Sequence, residues 1–247
     1  MDGVSLCARF SLATSRLAYC GPKGADATLY RAATRGEGTD AARAALLRFE
    51  ALAPYLELIA ERTGRDPLDA EVVEAYWIGN ALLDRFGRPE FVDLLDRLVR
   101  RGLPRPLADR LAAHLPRAPI PHHAFHVLFV GVGNVTGHVP TTVANMEACR
   151  PSWGQVVDTA PGELTVRGPG LAPRDGRLGL VGERERRLPH DPALVGAVRP
   201  GDWVAHHWGL PGLVLSEPRR TALERYTERS IAAANEAFAT LGTLREG

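Results

Sequence analysis

Apolar positions recur at helical spacing through the first half of this chain and in short alternating runs through the second. From Thr39 onward, Ala45, Leu46, Phe49, Leu52, Leu56 and Ile59 fall on one stripe that ends at Thr63-Gly64, with Asp40 placed to cap it. Pro54 interrupts the stripe and predicts a kink or a split into two helices. Asp66-Pro67-Leu68-Asp69 reads as a capped helix start, and Val72, Val73, Tyr76, Trp77, Ala81, Leu82 and Phe86 as its buried face, with Gly87 as the stop. Further helices are predicted over 88–99 and 106–115. Residues 1–38 are rich in glycine and alanine, and the turn at Gly21-Pro22 puts Cys20 at the end of an element.

Pro116, Pro119 and Pro121 end the helical pattern. Beyond them the spacing predicts short strands over 125–132, 153–158, 163–167, 178–181, 193–198, 202–207 and 212–215. A last helix opens at Ser216-Glu217-Pro218 and runs to about Ala239, carrying Leu223, Tyr226, Ile231 and Phe238. The expected class is therefore α+β. A helical domain over 1–120 is followed by a His/Gly-rich junction over 121–148, then a small OB-like barrel with a C-terminal helix over 149–247. That last helix is longer than a barrel cap needs, so its end should return to the helical half.

Length and charge narrow the function classes. At 247 residues and a net charge of +1, the chain has ample core and no concentrated basic surface for nucleic acid. No apolar stretch approaches the roughly 20 residues of a membrane span, and Met1-Asp2-Gly3 lacks a secretory n-region. Three cysteines, at 7, 20 and 149, form no paired set, which points to a reducing cytoplasm.

The candidate chemistry is histidine and cysteine. Pro121-His122-His123-Ala124-Phe125-His126 lies at the junction, His138 follows, and His206-His207 comes later. His122 and His126 share a face in either a helix or a strand, which makes them the best-spaced pair of metal ligands, with His123 directed elsewhere. A polar loop closing the helical domain, or metal-free acid–base work, would use the same cluster differently. Val130-Gly131-Val132-Gly133-Asn134-Val135-Thr136-Gly137 misses the dinucleotide fingerprint by one residue and reads as a tight turn or a close backbone approach. Cys20 is a candidate second thiolate, Cys7 a core residue, and Trp77, Trp203 and Trp208 core or pocket wall.

Cys149-Arg150-Pro151-Ser152-Trp153-Gly154-Gln155-Val156, a β-rich middle, Gly201-Asp202-Trp203-Val204-Ala205-His206-His207-Trp208-Gly209-Leu210 and a closing helix together resemble the HypC/HupF family. These are small chaperones that help build the iron centre of nickel–iron hydrogenases. The resemblance covers roughly Cys149 to Tyr226; Trp153 replaces a usual proline, and Cys149 stands inside the chain rather than after an initiator methionine. It implies an OB-like barrel, a metal site on Cys149 and His207, iron as the metal, and a protein partner in metallocentre assembly. Joined by the junction histidines His122, His126 and His138, that site would lie at the seam between the halves. The alternative is an iron- or haem-dependent enzyme at the same seam, and a third reading is a metal-free interaction protein.

Overall fold

A computed structural model describes residues 1–241. The chain opens with α1 (Gly3–Arg16), where the Asp2 carboxylate accepts from the Ser5 N–H at 2.9 Å and caps the first turn. Leu6, Cys7, Phe10 and Leu12 are all buried, so α1 lies inside the fold. It is followed by α2 (Asp26–Arg35), α3 (Thr39–Leu46) and α4 (Leu52–Thr63). The predicted split near Pro54 is present, but the break falls at 47–51 and Pro54 occupies the first turn of α4, where its missing N–H costs nothing. Asp69 caps α5 (Ala70–Trp77), which ends ten residues before the expected stop at Gly87. Gly79 takes φ +98°, and a 3-10 turn carries Ala81–Arg85. α6 (Arg88–Val99) and α7 (Arg105–Ala113) stand where the spacing places them.

The junction differs most from expectation. Residues 125–132 are not a strand. The His122 imidazole accepts from the Ala124 N–H at 3.2 Å and starts α8 (His123–Phe125), which runs on as a π-helical turn over His126–Gly131. The run Phe125–Val132 is buried on all sides, and continuous burial removes the alternation that separates strand from helix. After a turn segment, Thr142 caps α9 (Val143–Cys149), so helical structure continues to Cys149 rather than ending near 120.

The sheet is five-stranded and antiparallel, in the order β3-β2-β1-β4-β5: β1 (Ser152–Ala160), β2 (Glu163–Arg174), β3 (Arg177–Pro189), β4 (Trp203–His207) and β5 (Leu210–Leu215). It is open, not the expected closed barrel. β2 and β3 extend well past the predicted runs as one long hairpin around Asp175-Gly176, both at positive φ. That length carries β3 away as one edge, and β5 ends the other. The expected strand over 193–198 is instead a short helix, α10 (Pro192–Val195), because Asp191 caps it and Pro192 starts it.

α11 (Glu217–Leu241) is the last described element, and it docks on the helical half mainly through its first half rather than through its end as expected. Arg219 pairs with Glu74 at 2.6 Å and Arg229 with Asp84 at 2.6 Å, while Tyr226 covers Gly79. Asn235 donates to the Leu178 carbonyl and accepts from its N–H, both at 2.8 Å, which fixes α11 to the base of β3. One apolar core contains Phe10, Leu56 and Tyr76 from the helices, Trp153, Val166 and Val204 from the sheet, and Leu223 from α11. A second cluster joins Val127, Met146, Cys149, Leu178 and Ile231. Each large side chain so buried contributes on the order of 1.5–3 kcal/mol. Among the described residues, no helix is long and apolar enough to cross a membrane.

Candidate metal centre

Three elements converge where the two apolar clusters meet. Cys149 is the last residue of α9, His123 the first of α8, and His207 the last of β4. β1 pairs directly with β4, Ser152 opposite His206, so the chain leaving Cys149 runs alongside the strand that delivers His207. The end of α9 is held by Glu147, which bonds Arg150 at 2.9 Å, Arg186 at 2.7 Å and the Leu171 N–H at 2.7 Å. His207 precedes a two-residue turn in which Trp208 (φ +50°) and Gly209 (φ +73°) are both left-handed. A tryptophan in that conformation costs roughly 1–2 kcal/mol. It is anchored by its N–H to the Ala148 carbonyl at 2.7 Å.

One ligand atom each of His123, Cys149 and His207 lies within 4.8 Å of the other two, and all three residues are buried. The Cys149 Sγ stands 3.7 Å from His123 Nε2. Tetrahedral bonds of about 2.0–2.3 Å place ligand atoms roughly 3.3–3.8 Å apart. The three side chains could therefore hold a metal ion after the widest pair closes in.

Hydrogen bonds set the tautomers. His207 Nδ1 lies 2.7 Å from the Phe10 carbonyl, which only accepts, so Nδ1 carries the proton. Nε2 is then a bare lone pair, buried and without a partner. His123 Nε2 lies 3.0 Å from the Cys149 carbonyl and therefore donates, while its Nδ1 accepts from the Tyr76 hydroxyl at 2.7 Å. Coordination through His123 Nε2 would need its proton to move to Nδ1. Tyr76, a hydroxyl that can donate or accept, permits that exchange by rotating.

Burial dictates the charge. It pushes the Cys149 thiol up and the His207 imidazole down to about 4. His123 falls well below the ordinary range, through burial first and then its histidine neighbours. The site is thus neutral at neutral pH: two neutral imidazoles, each with one N–H, and a thiol. The aromatic walls are close, with the Trp77 ring 4.4 Å from His123 and 5.0 Å from His207.

Cys149 and His207 are therefore brought together as expected, but their third neighbour is His123, not His122, His126 or His138. The helix starts only at His123, leaving His122 extended, so the i, i+4 face expected of His122 and His126 is never formed. His122 turns toward Tyr226, at 6.2 Å between rings, and burial pushes it down to about 3. His126 lines the same cavity as Cys149 and His207 but is engaged with the Tyr55 hydroxyl at 3.0 Å. His138 is exposed on the turn segment. Cys20 also lines the cavity, outside the three-atom group, with its thiol 3.5 Å from Glu50. Cys7 is buried in the core, and Trp77 and Trp208 are cavity wall. The glycine-rich segment forms another wall: a Cβ on Gly133 would lie 1.9 Å from the Val139 carbonyl, the close approach its glycines suggest. His123 carried one sequence signal, its place after a proline-bounded start.

No curated protein and no solved structure matches the chain. A family described as "Family of unknown function (DUF6390)" matches residues 1–241, and the chain belongs to that family.

Proposed function

We propose that this protein carries a resident transition-metal ion on His123, Cys149 and His207 and uses it on a molecule admitted by the adjoining cavity. The observation that carries this reading is the His207 Nε2 lone pair, which is buried, unpartnered and grouped with a thiol and a second imidazole. A buried acceptor left without a donor is destabilising by about 1–3 kcal/mol, and a metal ion is one species that would satisfy it. One thiolate with two imidazoles suits iron, zinc or copper rather than magnesium or calcium. Three protein ligands leave a fourth position open, the pattern of catalytic rather than structural sites. Iron is the metal that the resemblance to HypC/HupF implies.

An assembly-chaperone role is the second reading, favoured by the β1–β4 pairing that seats Cys149 beside His207. Against it, a cargo site must release its ion, and Cys149 is only 8% exposed. Anaerobic purification followed by elemental analysis and an absorption spectrum tests both readings. The resident-site reading expects about one ion per chain, lost in His207→Ala and retained during incubation with candidate acceptor proteins. Ready transfer to a hydrogenase precursor would favour the chaperone. Metal-free protein that takes up no iron, zinc or copper would refute both.

A further inference from the structure

The enclosed part of the cavity beside His207 and Cys149 holds about 60 Å³, and the space reaches about 560 Å³ only when its open mouth is counted. The enclosed part is well below the roughly 300–1,000 Å³ of drug-sized sites, so it suits a small ligand whose far end reaches the mouth. Its walls contain no Asp, Glu, Lys or Arg. Phe49, Leu52, Val132, Val135 and Val139 form an apolar flank. An ion entering would shed its hydration with no opposite charge to meet it, whereas an apolar body would be favoured by the same transfer. At the polar end, His207 Nε2 is a bare acceptor in a residue only 1% exposed, because its other nitrogen is committed to the Phe10 carbonyl. The complement of a bare acceptor is an O–H or S–H hydrogen. On the cavity wall, the half-buried rings of Tyr19 and Trp208 pack 4.8 Å apart, each beside or at a left-handed residue, Ala18 (φ +54°) or Trp208 itself.

We propose that the cavity binds a small uncharged molecule with an apolar body and a single hydroxyl or thiol head, the head directed at His207 Nε2 beside Cys149. This deepens the metal reading and rests on it for the head's contact in the loaded protein, but the cavity belongs equally to the metal-free chain. That makes the two separable by experiment.

The full-length protein, metal-free and then zinc-loaded, would be titrated with 1-hexanol and 1-hexanethiol, followed by tryptophan fluorescence and calorimetry. Hexanoate and hexylammonium serve as charged counterparts of the same length. The expected result is saturable binding of both uncharged probes to the metal-free protein, with the charged pair at least about tenfold weaker. Zinc should strengthen the thiol more than the alcohol, since a thiolate is the softer ligand. Thr136→Trp, which fills the cavity from a half-buried turn position, should weaken both probes by at least about tenfold. The charged-probe comparison needs no variant and decides the matter even if Thr136→Trp misfolds. Absence of saturable binding to either form, or hexanoate binding as well as hexanol, would overturn the proposal. Hexanol binding without any metal uptake would remove the metal reading and leave the cavity; metal uptake without probe binding would do the reverse.

Discussion

Replacing Cys149 by serine keeps the volume of the side chain at the end of α9 and removes only the thiolate. The apo protein should then melt within a few degrees of the parent, because a buried thiol with a raised pKa acts as a small neutral group. Metal affinity should fall by more than the roughly 10–100-fold that changes outside the ligand shell cost. Equal metal content in the parent and in Cys149→Ser would exclude the thiolate as a ligand. Trp208 is the complementary case. Asparagine suits its left-handed turn position better, so Trp208→Asn should relieve on the order of 1 kcal/mol of backbone strain while losing the packing against Tyr19. Net stability would change little, and chelator should strip the metal faster. A slower stripping rate would show that Trp208 does not wall off the cavity.

At the scale of elements, Gly79 is the hinge between α5 and the 3-10 turn, and it is also the floor on which Tyr226 of α11 rests. A Cβ there would lie 2.2 Å from the tyrosine ring, in a backbone conformation that L side chains rarely adopt. Gly79→Ala should therefore lift α11 off the helices and destabilise the fold by roughly 1–3 kcal/mol, read as a lower urea midpoint. An unchanged midpoint would mean that α11 is not held through this contact. The helices at Arg88–Val99 and Glu217–Leu241 were legible because one face is apolar and the starts carry proline or acid signals. α1 was not: Gly3–Arg16 is buried on most sides, so no polar face marks its period. The same loss of contrast hid the helix after His123 and made 125–132 read as strand. The Cys149–His207 pairing was legible through the motif on either side of it. His123 was not, because its role depends on a helix phase set by a single side-chain cap at His122.

The whole molecule buries five histidines: His122, His123, His126, His206 and His207. Burial is the first cause of each lowered value, about 3 for His122 and His206, about 4 for His126 and His207, and well below the ordinary value for His123. The unfolded chain titrates them near 6.5, so below that pH the unfolded state binds more protons than the folded one. Stability is thus complete above about pH 6.5 and is lost as pH falls toward the folded values. Each fully engaged group takes away about 1.4 kcal/mol per pH unit, and five together roughly 7. Against a total stability of about 5–15 kcal/mol, unfolding should come between about pH 4.4 and 5.8. On the alkaline side the sign reverses. Burial raises the thiols of Cys7, to about 12, and Cys149, so their contribution is present below the ordinary thiol value near 9 and is lost as pH climbs past it. Urea midpoints measured in chelator from pH 4 to 10 should trace a plateau between about 6.5 and 8.5 with a steep acid limb. Bound zinc should shift that limb to lower pH, because it competes with protons for His123 and His207 and favours the folded chain. A metal-free protein equally stable at pH 7 and pH 4 would show that these imidazoles are not buried neutral. It would remove the electrostatic basis for a preformed neutral centre.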